Sequence, residues 1–396
     1  MITDATMPPP AVGDWKTLPA KQQPAWEDLG LLSETAAELE TRPGLVDWSE
    51  VAELRALLAE VAGGRLQVVQ AGDCAEDPTE CEPGYVARKV ALLDALAGVM
   101  SLRSPRPVVR IGRMAGQFGK PRSRPTETVG GVELPVFRGH LVNSPEPDPE
   151  LRRPDPRRLL AGYDAAAAAM DGLRLLAVAT PVPGTPVWTS HEALLLDYEG
   201  PLLRCNDAGL SYLASTHFPW IGERTRQPEG AHVALLATVA NPIACKVGPT
   251  MTADELLRLC ALLDPRREAG RLTLIARMGA DAVSERLPAL VTAVREAGHP
   301  VIWLTDPMHG NTVAGPDGLK TRLVETVVRE VEGFQEALAS VGAVAGGIHL
   351  ETTPDEVTEC AHDATQISRV SEKYTSFCDP RLNPSQALRV ASVWRG

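Results

Sequence analysis

Apolar positions along the chain follow two alternating rhythms: short β-branched runs, and longer stretches in which apolar residues recur every third or fourth position. The clearest short run is Val301–Thr305, VIWLT, with Gly298 and Pro300 upstream and Asp306, Pro307, His309, Gly310 and Asn311 directly behind it. That composition predicts a buried strand whose carboxyl end turns abruptly polar. The same layout recurs at Leu66–Glu76, Pro107–Gly116, Val187–Ser190, Leu213–Ile221, Pro242–Val247, Arg271–Ala276 and Gly346–Glu351. Helical stripes lie at Val51–Ala62, closed by Gly63 and Gly64, at Tyr85–Met100 and at the Ala-rich Pro154–Leu173. Thr252 with Glu255 predicts a capping box that opens a helix, and Thr353-Pro354-x-Glu356 predicts a second helix start.

Eight strands, mostly separated by helical patterns and ending in charged or metal-capable residues, predict an α/β fold, a (β/α)8 TIM barrel with its chemistry on the carboxyl-end rim. An open doubly wound sheet is the competing architecture, and neither a GxGxxG nor a Walker loop supports it. Residues 1–62 read as an N-terminal arm and helix, with short helices around Trp26 to Leu39, packing on a domain or on a second subunit without chemistry. Residues 63–396 read as one barrel catalytic domain.

The 396 residues are 44% hydrophobic, enough for a large core. No apolar run approaches the roughly 18 residues of a membrane span, and the N-terminus lacks a signal layout, so a soluble cytoplasmic protein is expected. Seven cysteines without short repeating spacing indicate neither a disulfide framework nor a zinc knuckle. A formal charge of −12 argues against nucleic acid or anionic membrane as a partner. Against that background the basic clusters Arg110 to Arg124, Arg224 to Arg226, and Lys246 with Arg277 become informative.

Cys74, His309, Glu351 and, in the later loop FCDPRLN, Asp379 are the candidate metal ligands. Taken singly, Cys74 reads as a small buried hydrophobe and His309 as a hydrogen-bonded core histidine; the four together read as a mixed site. Such a set suits Mn²⁺, Co²⁺, Fe²⁺ or Zn²⁺, being too soft for Mg²⁺ and too oxygen-rich for structural zinc. Cys378, next to Asp379, could approach Cys74 as an oxidation-sensitive pair. Arg113, Lys120, Arg122, Ser123, Arg224, Lys246 and Arg277 all fall at or after strand ends, where guanidinium forks and ammonium groups match phosphate and carboxylate. Surface salt bridges suit Arg124 and Arg226 better than Arg113 or Lys246, which sit in apolar runs where an unpaired cation is expensive. The substrates should therefore carry two phosphates, or a phosphate and a carboxylate. A metal beside such a pocket suggests carbonyl polarisation, with Glu192 and Glu223 orienting water or shuttling protons. A nucleophilic Cys74 is the weaker alternative, since no histidine base lies near it in sequence.

From about Trp15 onward the chain resembles the type II (plant-like) 3-deoxy-D-arabino-heptulosonate 7-phosphate (DAHP) synthases. The motifs that carry the resemblance include QAGDCAE (Gln70–Glu76), RMAGQFGKPRS (Arg113–Ser123), TSHEALLLDYE (Thr189–Glu199), WIGERTRQ (Trp220–Gln227), ANPIACKVGP (Ala240–Pro249) and DPMHGNT (Asp306–Thr312). The resemblance implies a (β/α)8 barrel that condenses phosphoenolpyruvate with erythrose 4-phosphate, releasing phosphate, with a divalent metal such as Mn²⁺ or Co²⁺. It assigns the metal to Cys74, His309, Glu351 and Asp379. It places Arg113, Glu192, Glu223, Lys246 and Arg277 around phosphoenolpyruvate with Trp220 nearby, and Lys120, Arg122, Ser123 and Arg224 around the aldose phosphate. Two departures stand out. His140 replaces the acid of an RGD-type run, which keeps open an altered, amino-substituted aldose. The link Leu173–Val187 is short where long members carry extra helices that bind aromatic amino acids, so weak or absent feedback and a role in specialised metabolism are expected. A homodimer, a chorismate mutase partner, and a non-catalytic regulatory paralogue complete the expectations.

Overall fold

Parallel strands whose side chains are buried on both faces need helices outside and a filled interior, and the chain supplies both. A computed structural model describes residues 14–179 and 186–396. In chain order the barrel strands are Gln67–Gly72, Val108–Arg113, Trp188–Ser190, Trp220–Ile221, Ile243–Val247, Leu272–Ala276, Ile302–Thr305 and Ala345–Glu351. They form one eight-stranded parallel sheet in which the first strand pairs with both the second and the eighth. A parallel bridge from Glu192 to Trp220 joins the third strand to the fourth, so the sheet closes into the expected (β/α)8 barrel.

The fourth strand is shorter than the pattern predicts. Within Leu213–Ile221 only Trp220–Ile221 joins the barrel, while Ser211–Leu213 pairs antiparallel with Leu203–Cys205. Asn241 explains the split: its side chain accepts from Leu213 N at 2.8 Å and donates to Leu213 O and Thr216 O at 3.0 and 3.1 Å. Those backbone groups are thereby withdrawn from any ladder.

Outer helices at Pro83–Ser101, Arg157–Ala179, Ala253–Leu263, Val283–Glu296 and Val324–Ser340 cover the sheet. The Ala-rich helix thus runs past its expected end at Leu173; of the link to Val187, residues 180–185 lie outside the described residues. Thr252 caps its helix by accepting from Glu255 N at 3.2 Å. The Glu255 carboxylate does not close the box, being taken by Arg226. No helix starts at Thr353-Pro354. Thr353 N donates to Leu382 O at 3.0 Å, and Asp355 is held by the Tyr85 hydroxyl at 2.6 Å and by Arg88, so the segment stays extended. The helix start in that region is Asn383-Pro384, where Asn383 and Gln386 form a full capping box.

Helix Trp48–Ala62 closes the amino end of the barrel. Its Leu54, Leu58 and Val61 share a core cluster with the strand residues Val68, Val109, Ile111, Trp188, Ile275, Ile302 and Leu304. Each such side chain contributes about 1.5–3 kcal/mol on burial. The described part of the arm packs on the barrel itself: Pro19 O accepts from Ala231 N at 3.0 Å, and the Trp26 indole donates to Asp197 at 2.7 Å.

Candidate active site and metal centre

Above the apolar plug the barrel interior turns polar. His349 and Gln70 bond at 2.7 Å between ring Nδ1 and Oε1, Gln70 donates to Ser190 Oγ at 2.9 Å, and Arg113 meets His349 Nε2. Burial, then the charges of Lys246 and Arg113, push the His349 pKa far down, so this layer is a neutral relay. Arg113 connects this layer to a cavity of about 650 Å³ at the carboxyl rim, which it lines. Every candidate residue lines that cavity: Cys74, Arg113, Lys120, Arg122, Ser123, Glu192, Trp220, Glu223, Arg224, Lys246, Arg277, His309, Glu351 and Asp379. Polar ends of eight separate strands have been carried to one opening.

On one wall, ligand-capable atoms of Cys74, Glu351 and Asp379 all lie within 4.8 Å of one another. His309 adds its Nε2 at 3.3 Å from Glu351 Oε1. Its Nδ1 is 2.7 Å from Asp306, whose carboxylate is held far below its usual pKa against burial by the charges of His309 and Lys246. An ionised Asp306 fixes Nδ1 as the donor, which leaves the Nε2 lone pair facing Glu351. Donors bound at 2.0–2.3 Å around one ion stand roughly 3–4.5 Å apart, so the thiol and two carboxylates of Cys74, Glu351 and Asp379 suit a borderline divalent cation, while His309 approaches Glu351 but stands outside that mutually close group. Lys120 Nζ lies 2.6 Å from Cys74 Sγ and 2.7 Å from Asp379. Burial, the neighbouring Cys378 thiol and the Glu351 charge raise the Cys74 pKa, so a bound cation would have to stabilise the thiolate. Cys378 belongs to the same cluster of groups, as its sequence position beside Asp379 led one to expect.

Cations stand directly beside this cluster, Arg113 pairing with Glu351 at 3.0 Å. The Arg113 guanidinium and the Lys246 ammonium lie 5.1 and 6.0 Å from the Trp220 ring centroid. Lys246 is paired with Asp306, yet burial, which outweighs that pairing, pulls its pKa down to about 8. Arg277 is anchored by one bond to His309 O at 3.0 Å, and among the described residues its Nε has no partner. Two carboxylates stand beside these cations, each with one bare buried oxygen: Glu192 Oε1 and Glu223 Oε2. Burial raises the Glu192 pKa. Both need glycine opposite them: a Cβ on Gly222 would collide with Glu192 Oε1, and one on Gly248 would stand 2.8 Å from the Glu223 carboxyl. Nearer the mouth, Arg224 donates to Ser123 Oγ at 2.7 Å and Arg122 to Glu127 at 2.9 Å.

Residues that the pattern did not reveal hold this arrangement from behind. Arg226, expected at the surface, is buried and donates to Glu223 Oε1 at 3.0 and 2.8 Å. The pairing with Glu223 and Glu255 explains why a cation tolerates that burial. Arg322 pairs with Glu351 at 2.8 Å, and Lys320 with Asp379 at 2.8 Å. Three buried glutamates each gather the backbone of one rim loop: Glu76 accepts from Ala115, Gly116 and Gln117, Glu330 from Met278 and Gly279, and Glu359 from Thr375, Ser376 and Arg381. A lone glutamate in a helix or loop carries no local mark of such a task. His140 lies outside the cavity lining, packed edge-on against Phe137 and Phe377 with ring centroids 5.3 and 5.2 Å away.

The carboxyl rim of the parallel barrel thus joins a metal-capable cluster and a set of buried cations in one cavity. The family model described as the class-II DAHP synthetase family matches residues 11–184 and 178–394, and the chain belongs to that family. It is 53% identical over 378 residues to a "Probable phospho-2-dehydro-3-deoxyheptonate aldolase" of Pseudomonas fluorescens, covering 95% of this chain and 94% of that one. Its identity to the phospho-2-dehydro-3-deoxyheptonate aldolase of Streptomyces coelicolor is 40%, covering 99% of this chain and 98% of the relative. A solved structure of a phospho-2-dehydro-3-deoxyheptonate aldolase from Francisella tularensis superposes with a TM-score of 0.53 over 92% of this chain and 97% of that one. At 11% identity that likeness speaks to the fold alone. Among the described residues no helix is long and apolar enough to cross a membrane.

Proposed function

We propose that this chain condenses phosphoenolpyruvate with erythrose 4-phosphate to give DAHP and phosphate, with a divalent metal of the Mn²⁺ or Co²⁺ type. The observation that carries the reading is the convergence of the metal-capable cluster and the buried cations on one cavity. Cys74, His309, Glu351 and Asp379 hold the cation, which when bound supplies Lewis-acid polarisation of the aldehyde. Arg113, Lys246 and Arg277 clasp the phosphate and carboxylate of phosphoenolpyruvate, with its enol plane beside Trp220. Lys120, Arg122, Ser123 and Arg224 hold the phosphate of the aldose, so that its C1 faces C3 of the enol. As the bond between C3 and C1 forms, the aldehyde oxygen takes on negative charge and positive charge develops at C2. Glu192 and Glu223 orient a water toward C2 and pass the proton it gives up to the former aldehyde oxygen, and phosphate then leaves from the hemiketal, taking the hydroxyl proton of C2 with it.

Phosphate release from the two substrates, with and without chelator and with Mn²⁺ or Co²⁺ restored, tests this reading. Chelator should abolish release and either ion should restore it; full activity in chelator would end the metal assignment. We also propose weak or absent feedback by Phe, Tyr and Trp, consistent with a specialised pathway. In support, the family match falls in two stretches that meet at residues 178–184, inside the short link. Strong inhibition by any of the three amino acids would refute it. The reading with an aminated aldose rested on His140, which lies outside the cavity, and it is not carried further.

A further inference from the structure

The N-terminal arm, which its sequence marks as a Pro-rich appendage, touches the loops that carry the aldose-side residues. Between Pro19 and Glu27 it reaches three rim loops. Gln23 donates to Leu194 O at 2.8 Å and accepts from Leu196 N at 3.0 Å, behind the third strand. Pro19 meets the loop and helix behind the fourth strand. Gln22 reaches the loop behind the second: its Oε1 accepts from Arg122 N at 2.8 Å, and its backbone carbonyl accepts from Arg138 at 3.5 Å. Two adjacent glutamines thus send their amides to two different loops.

That divergence requires unusual backbone. Gln22 has φ +65°, in the left-handed region that residues other than glycine seldom occupy. Strain of this kind persists where the surroundings over-determine a conformation, and it concentrates at functional sites. Here the surroundings are the loop Lys120–Arg124, whose backbone is also tied where Lys120 N donates to Arg138 O at 2.8 Å, the remaining ties running through side chains: Lys120 to Cys74 and Asp379, Arg122 to Glu127, and Ser123 to Arg224. Gln22 fixes the middle of that loop, and it does so through the backbone. The Arg122 side chain, paired with Glu127 at 2.9 Å, lines the cavity.

We propose that Gln22 is a positioning residue for the phosphate of the aldose: it pins the Arg122 amide so that Lys120, Arg122 and Ser123 present their donors together. The inference rests on the substrate assignment made above. Of the residues assigned to phosphoenolpyruvate, Lys246 and Arg277 lie on or directly after other strands, and Arg113 is held separately, by Asp73 O at 3.0 Å and Glu351 at 3.0 Å, so the two substrates should respond differently.

The experiment uses the full chain with Gln22→Leu, which keeps side-chain bulk and removes the acceptor, and Gln22→Glu, which restores one. Gln22→Leu should raise the KM for erythrose 4-phosphate roughly tenfold, as loss of one hydrogen bond to a loop that orders charged donors would. The KM for phosphoenolpyruvate should move less than about twofold, and Gln22→Glu should recover most of the loss. Backbone hydrogen exchange provides a second readout that needs no turnover: protection over residues 120–124 should fall in Gln22→Leu while protection over 243–247 is unchanged. Unaltered KM values, a parallel rise in both, or unchanged exchange at 120–124 would overturn the proposal. Should the unmodified chain fail to condense these substrates, the substrate assignment falls, and the exchange measurement still decides whether Gln22 orders the loop.

Discussion

The two ends of the barrel solve opposite problems with the same eight strands. At the amino end, Leu54, Leu58 and Val61 of the plugging helix meet Val68, Ile302 and Leu304 in an apolar cluster. At the carboxyl end the same strands terminate in the Cys74 thiol and in Arg113, Lys246, Asp306 and Glu351, buried charges that pair among themselves and with neighbours such as His309 and Arg322. A neutral layer of Gln70, Ser190 and His349 separates the two. The lesson is one of division: the apolar end supplies stability, and the polar end spends some of it holding groups in an order that water alone would not hold.

Substitutions at the two ends should therefore fail in different ways. Cys74→Ala removes one of the proposed ligands, and metal affinity should fall by more than about a hundredfold, beyond the cost of losing an outer partner. Metal content after dialysis and calorimetric titration measure it, with the fold intact by circular dichroism. Leu58→Ala should do the reverse: about 2–5 kcal/mol of stability lost in denaturant titration, with metal content and both KM values of the folded enzyme unchanged. If Leu58→Ala strips metal, or Cys74→Ala binds it normally, the ends are not the separate devices described here.

Within the polar end, the metal-capable cluster and the cations beside it can be parted next. Lys246→Ala should retain the metal while turnover falls about 10²–10³-fold, the usual loss when one buried electrostatic donor is removed. Loss of metal in that variant would mean that Asp306, left without its cation, no longer orients His309. The pH profile gives a milder test of the same residue. With a pKa near 8, Lys246 is cationic below that value and neutral above it. Second-order turnover on phosphoenolpyruvate should thus decline as pH rises through about 8, approaching tenfold per unit. A flat profile to pH 9.5 would show that the ammonium charge is not used in binding.

These contrasts also explain what the sequence disclosed. Strand and rim were legible because a β-branched run ending in a functional group is a local pattern, and Val301–Asn311 displays it within a dozen residues. Partners were not legible, because they come from elsewhere in the chain. Thr353-Pro354 and Asn383-Pro384 carry nearly the same helix-start signal, yet only the second starts one, since Thr353 is already paired with Leu382. Arg226 looked like a surface cation because nothing nearby in sequence reveals Glu255 reaching across to it. Substituting it sharpens the point: Arg226→Lys loses the two-pronged hold on Glu223 and should lower kcat roughly tenfold, with metal retained. Both KM values should shift little, since Arg226 stands behind Glu223 and not in the cavity.

The smallest effect is expected at the residue that looked most diagnostic in the sequence. His140 stands where an acid is usual, and a histidine near a phosphate loop invites a role in recognising the aldose. Its ring lies edge-on to Phe137 and Phe377 with Nε2 buried and without a partner among the described residues, and burial lowers its pKa. It serves there as a neutral aromatic wedge between the loop behind the second strand and the segment leading to Cys378 and Asp379. His140→Phe should then be nearly silent, with the KM for erythrose 4-phosphate within about twofold, because an aromatic ring of similar volume refills the wedge. His140→Asp restores the usual acid without its usual surroundings and should cost about 1–3 kcal/mol of stability, since the carboxyl would stand against two phenyl rings. A tenfold loss in kcat/KM for the aldose in His140→Phe, with stability unchanged, would instead put the imidazole in contact with substrate and return the aminated aldose to consideration.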